Sequence, residues 1–140
     1  MIKFEQLPAD ILQRLSAVKA ILLQDENIIF AYIFGGLAKG EVRPLSDIDI
    51  AVYVKHKENL PEYKIHLFKE ITDALGTDEV DLVILNTASV CISGRILQNK
   101  QVLVDKFPFQ RHSYESLTLR EFFDFRIKED FFFKRRYGIG

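Results

Sequence analysis

The 140-residue sequence predicts an α/β (α+β) domain: a mixed β-sheet flanked by helices and followed by a long C-terminal helix. Three observations carry that expectation. Short apolar runs rich in β-branched and aromatic residues alternate with longer segments of helical periodicity. A hydrophobic content of 48% with 28% charged residues describes a chain that buries one core. There is no internal repeat, low-complexity tract or linker at which a second domain could begin.

The elements follow in order. Ile11, Leu15, Val18 and Leu22 stand at helical spacing behind a proline, which predicts a helix over about 8–23. Residues 28–34, IIFAYIF, are continuously apolar and suit a central strand covered on both faces. A glycine-containing turn leads to DIDIAVYV, residues 47–54, a second strand. Residues 61–76 place Ile65, Phe68, Ile71 and Leu75 on one side of a helix that ends on Gly76 as C-cap. EVDLVILN reads as a third strand, residues 88–99 as a helix, and QVLVD as a short fourth strand, at whose start Lys100 and Gln101 look like a turn. A long helix over about 113–136 completes the chain. Residues 1–110 form the body of the domain and 111–140 a helical extension of the same domain, expected to bind a partner.

Composition excludes several functions. The formal net charge of −1 provides no basic field for duplex DNA or an anionic membrane. Cys91 is the single cysteine, without a disulfide partner or a metal-ligand set, and its apolar neighbours suggest an inert buried thiol. Lys3, Glu5, Asp10 and Arg14 are unlike a signal peptide. No uncharged apolar run reaches the roughly 18 residues of a membrane span. A reducing cytoplasm is the expected setting.

The chemistry concentrates in FGGLAKGEVRPLSDIDIAVYV, residues 34–54. With side chains alternating at period two, Asp47, Asp49, Ala51 and Tyr53 share one face of the second strand, while Ile48, Ile50, Val52 and Val54 take the core side. The two carboxylates would lie roughly 6–7 Å apart, and such like charges resist ionising together unless a cation lies between them. Mg²⁺ prefers hard oxygen ligands and retains waters and substrate phosphates. Asp81, flanked by Val80 and Leu82, offers a third carboxylate on the next strand. If the faces coincide, the cluster can hold two metals about 3.5–4 Å apart and clamp a transferring nucleotidyl group. Gly35 and Gly36 end the first strand, where a turn without Cβ atoms lets backbone N–H groups approach a phosphate. Lys39 and Arg43 add charge in the same loop. Each feature alone is commonly a solvated edge or a plain turn; their fixed order and spacing tie them together.

Gly35-Gly36, ten residues from Leu37 to Ser46, then Asp47-Ile48-Asp49 resembles the Gly-Ser, ten residues, Asp-x-Asp signature of the nucleotidyltransferase superfamily related to DNA polymerase beta. LAKG and SDIDIAV are similar to the matching stretches of the minimal nucleotidyltransferases, and the likeness runs over about residues 10–105. The small size and the aromatic tail LREFFDFRIKEDFFFKRRYG most resemble the antitoxin branch, whose members are encoded with a HEPN-domain ribonuclease toxin. The resemblance implies a nucleotidyltransferase fold and Mg²⁺-dependent transfer of AMP from ATP to a protein hydroxyl of such a toxin. Asp47 and Asp49 would hold both metals, and Asp81 would complete the catalytic set and activate the attacking hydroxyl. Gly35 and Gly36, with Lys39 and Ser46, would hold the nucleotide. The chain departs from the signature at Gly36, where the family usually has Ser. That removes one donor to a phosphate, worth about 0.5–3 kcal/mol.

His56, His66 and His112 are scattered without ligand spacing, and Ser89, Ser93 and Cys91 lack the base that a nucleophile needs. The C-terminal segment is more informative. Tyr114 to Tyr137 hold eight of the seventeen aromatic residues, distributed all round a helix. Such a helix wants burial on more than one side, and the domain covers only one. A partner chain is therefore expected there, the alternative being a bent or broken segment folded wholly onto its own core, and a homodimer is also left open. Two function classes follow: a nucleotidyltransferase antitoxin, or a binding module that neutralises its partner by contact with a degenerate nucleotide pocket.

Overall fold

The computed structural model describes residues 9–38, 48–55 and 58–138. Within them the order is α1 (Ala9–Gln24), β1 (Ile28–Phe34), α2 (Gly35–Ala38), β2 (Ile48–Val54), α3 (Leu60–Leu75), β3 (Val80–Ile84), α4 (Val90–Gln98), β4 (Lys100–Asp105) and α5 (Pro108–Tyr137). The four strands form one sheet in the order β3-β2-β1-β4. β1 pairs antiparallel with β2 and β4, and β2 pairs parallel with β3, so the sheet is mixed as the sequence predicts.

β1 reads as a continuous apolar run because helices cover both faces of the sheet. On one face, Leu15, Val18 and Leu22 of α1 and Leu67, Ile71 and Leu75 of α3 pack on Ile48, Ile50, Val52, Val54, Leu82 and Ile84. On the other, Ile96 and Leu97 of α4 pack with Phe30, Tyr32, Ala51 and Leu85, joined by Tyr53, Tyr114 and Leu119. Successive residues of β2 therefore enter opposite cores, as period two requires. Tyr53 stacks on Phe30 with ring centroids 4.9 Å apart, and Tyr114 of α5 closes on both at 5.0 and 5.4 Å. Each such aromatic pair adds about 0.5–1.5 kcal/mol beyond the area it buries.

Local chemistry fixes the junctions. Gly76 adopts φ +69° and donates its N–H to Thr72 O at 2.8 Å, which ends α3 as predicted. The Ser89 side chain accepts from Ile92 N at 3.2 Å and caps α4. Asn86 pairs its side-chain amide with both Val54 N and Val54 O, lengthening the β2 ladder by one rung after the strand ends.

Four details differ from the sequence expectation. Lys100 and Gln101 belong to β4, opposite Phe34 and Ile33, not to a turn. α5 begins at Pro108, ahead of residue 113, because a proline in the first helical turn has no N–H to waste and a φ already suited to the helix. Ile65 is 69% exposed, since Leu67, Ile71 and Leu75 centre the buried side of α3. Cys91 is half-buried at the start of α4 rather than enclosed.

The 30 residues of α5 extend about 45 Å at 1.5 Å per residue. Its first half is fastened to the sheet by a polar cluster. Tyr32 donates to Glu115 Oε2 at 2.7 Å, Lys100 Nζ lies 3.3 Å from the same oxygen, and Arg111 spans Glu115 at 3.1 Å and Asp105 at 2.9 Å. Burial alone would raise the Glu115 carboxyl, but Tyr32, Lys100 and Arg111 outweigh it and hold the group below its ordinary range. Burial works against the Arg111 charge too, and the two carboxylates overcome it and raise its pKa. Burial, reinforced by Glu115, pushes the Tyr32 phenol far above its ordinary value. Further along, Phe122 is 3% exposed and lies where a Cβ on Gly94 of α4 would stand. From residue 123 to 136 every side chain of α5 is exposed, Phe123, Phe125, Ile127, Phe131, Phe132 and Phe133 included. Among the described residues no helix is long and apolar enough to cross a membrane.

Candidate active site

β1 delivers the chain to one end of the sheet, where Gly35 turns it at φ +71° into the single helical turn of α2. Few residues other than glycine adopt that conformation. A second constraint applies at the same atom: a Cβ on Gly35 would run into Asp49 Oδ2. The backbone of Gly35 and the Asp49 carboxylate are therefore packed directly against each other. Gly36 lies inside the helical turn rather than in an open loop.

Asp49 is the second residue of β2, half-buried, with Phe34 opposite it on β1 and Asp81 opposite it on β3. Residues paired in a ladder present their side chains to the same face. The burial pattern agrees, because Ile48, Ile50 and Leu82 enter the α1/α3 core and Asp49 and Asp81 alternate with them. Neighbouring strands lie about 4.8 Å apart, so the two carboxylates stand side by side at the mouth of the sheet. Asp81 is exposed to solvent there. Adjacent like charges favour a shared cation, and Asp49 and Asp81 beside the Gly35 turn are hard oxygen donors of the kind that Mg²⁺ takes.

Asp47, Ser46, Lys39 and Arg43 lie outside the described residues. Among the described residues no group of three potential metal ligands converges. The other residues weighed from the sequence fall elsewhere: His66 is exposed and 3.0 Å from Glu70, His112 lies beside Arg111, and Ser89 is a helix cap. His56 is outside the described residues. The sequence reading missed Lys100, which the strand register brings to the same end of the sheet, opposite Phe34. Its signal is long-range pairing, which no local pattern displays.

With this geometry in place, comparison with known proteins is direct. The family model described as polymerase beta, nucleotidyltransferase matches residues 16–108, from within α1 to the first turn of α5, and so includes all four strands. Among curated proteins no sequence matches closely enough to count as a relative. Solved structures share the fold. A chain from the tri-AMPylated Shewanella oneidensis HEPN toxin in complex with MNT antitoxin superposes with a TM-score of 0.66 at 20% identity, covering 90% of this chain and 97% of that one. A chain from a toxin–antitoxin structure with AMP-PNP gives 0.67 at 20% identity, over 90% and 94%. One from the toxin–antitoxin MntA-HepT gives 0.66 at 21%, over 89% and 97%. A match to this family over all four strands, on a sheet that sets Asp49 and Asp81 beside a glycine turn, places the chain in the polymerase beta nucleotidyltransferase family.

Proposed function

We propose that this chain is a Mg²⁺-dependent nucleotidyltransferase that acts as an antitoxin, transferring AMP from ATP to a side-chain hydroxyl of a HEPN-type ribonuclease toxin in the cytoplasm. The observation that carries the reading is the lateral register of Asp49 and Asp81, with the Gly35 backbone packed against the Asp49 carboxylate. The fold neighbours supply the biological setting: one comes from a structure of an AMPylated HEPN toxin with its MNT antitoxin, another from a toxin–antitoxin with AMP-PNP.

In this reading Asp49, Asp81 and Asp47 hold the metal ions. When bound, Mg²⁺ neutralises the triphosphate and the charge developing on the leaving pyrophosphate. Gly35 and Gly36 fix the triphosphate through backbone N–H groups, aided by Lys39 and Ser46. Asp81, exposed on an edge strand, accepts the proton of the attacking hydroxyl. The hydroxyl oxygen bonds to the α-phosphorus, the bond from that phosphorus to the bridging oxygen breaks, and pyrophosphate departs. The aromatic half of α5 beyond Phe122 is the partner-binding part of the extension over 111–140, because Phe125, Ile127, Phe131 and Phe132 expose a large apolar area along it.

The second reading, a binder that neutralises its partner by contact alone, rests on Gly36 in place of Ser, and the same experiment separates the two. The chain, its HEPN partner, Mg²⁺ and α-labelled ATP are incubated and the partner is weighed. A gain of one or more AMP masses, lost with Asp49→Asn, supports transfer. Neutralisation with no added mass, unchanged by Asp49→Asn, identifies a binder.

A further inference from the structure

The ladder registers align more than two carboxylates. Asp81 pairs with Asp49, Asp49 with Phe34, and Phe34 with Lys100, so one row crosses all four strands at the end of the sheet where Gly35 turns. The whole row faces the aromatic core side: Phe34 packs against that core, and Lys100 Nζ lies 5.3 Å from the centroid of the Tyr32 ring. Two strand spacings separate the backbones of Asp49 and Lys100 by about 10 Å. The turn α2 bridges this interval, since it lies against β1, β2 and β4 together.

Lys100 is held in place. Its side chain is 22% exposed, its ammonium is 3.3 Å from Glu115, and Glu115 in turn receives Tyr32 and Arg111. An ammonium has three donors, and Glu115 with the ring face leaves capacity for a further anion. Desolvation offsets part of the attraction in a half-buried ion cluster. This one also fixes a cation in line with two carboxylates.

In-line transfer sets the direction of the bound nucleotide. With the accepting base at Asp81 on the β3 edge, the leaving pyrophosphate must extend to the opposite side of the α-phosphorus, past Gly35 toward β4. We propose that Lys100 contacts the β- and γ-phosphates of the nucleoside triphosphate, and that Glu115 and Tyr32 are positioning residues for its ammonium. This inference rests on the nucleotidyltransferase reading of the same site.

The test is calorimetric titration of the full chain with ATP and with AMP in Mg²⁺, for wild type, Lys100→Met, Lys100→Gln and Lys100→Arg, each checked for folding by circular dichroism. Removing the charge should weaken ATP by about tenfold to a hundredfold while AMP affinity stays unchanged. Lys100→Arg should recover most of the ATP affinity. The ³¹P resonances of the β- and γ-phosphates should shift less on binding to Lys100→Gln than to wild type. An ATP-to-AMP affinity ratio equal to that of wild type in either uncharged variant overturns the role of Lys100 and leaves the transferase reading standing. A wild-type chain that binds no ATP overturns both.

Discussion

Gly35 combines two demands that usually fall on different residues, a left-handed backbone and a surface flat enough for a carboxylate to rest on. Gly76 provides the control, for it has almost the same φ, +69° against +71°, and nothing within 4 Å of a built Cβ. Gly76→Ala should cost about 1–2 kcal/mol of stability, the ordinary penalty for a left-handed alanine, and leave nucleotide binding intact. Gly35→Ala should cost at least as much and also displace Asp49, so that Mg²⁺–ATP binding disappears. Thermal melts and calorimetry on the two variants separate backbone strain from loss of the site. Glu115 makes a second prediction at this scale. Its ordinary pKa of 4.5 is lowered in the fold, so its contribution is fully present above 4.5 and is lost as pH falls through the lower folded value. Glu115→Gln should therefore flatten the fall in melting temperature on acidifying below pH 4.5; an acid limb identical to that of wild type would show that the cluster does not anchor α5. The carboxylates were legible in the sequence because period two and the Gly-Gly to Asp-x-Asp spacing are local signals. Lys100 was not, since Asn99-Lys100-Gln101 looks like a turn until the pairing with β1 is known.

Among the elements, α5 shows where local pattern runs out. Its aromatic residues point in every direction, and the sequence alone could not say which the domain keeps. Phe122 is kept, against Gly94 and the α4 backbone, and the next turn is the first to leave the body. Beyond it every residue through Arg136 is exposed. The cut that tests partner binding therefore belongs after Phe122, because an earlier one would remove the packed Leu119 and Phe122. A chain ending at residue 123 should melt within about 4 °C of the full chain, corresponding to less than about 1 kcal/mol. It should no longer bind the HEPN-type toxin proposed as its partner in size-exclusion chromatography. Retained binding would move the interface to the domain proper. β1 was the easiest element to read, since burial on both faces writes itself as seven consecutive apolar residues, Ile28–Phe34.

For the whole molecule, the alternation of strand and helix was enough to predict a mixed sheet with helices on its faces. The strand order β3-β2-β1-β4 explains how the site arises from it. β2 and β3 run parallel and start at the same end, so each contributes the carboxylate of its second residue there, while β1 ends at that point and supplies the glycines. No single segment holds the site; topology assembles it from the beginnings of two strands and the end of a third. The central claim is that this sheet mouth is where nucleotide and metal bind. It is tested most directly by crystallising the chain with Mn²⁺ and a non-hydrolysable ATP analogue and measuring anomalous scattering at the manganese edge. The account predicts a manganese peak coordinated by Asp49 and Asp81, with the triphosphate over Gly35 and Gly36. Nucleotide bound elsewhere, or manganese absent from these two carboxylates with the analogue in place, would contradict it.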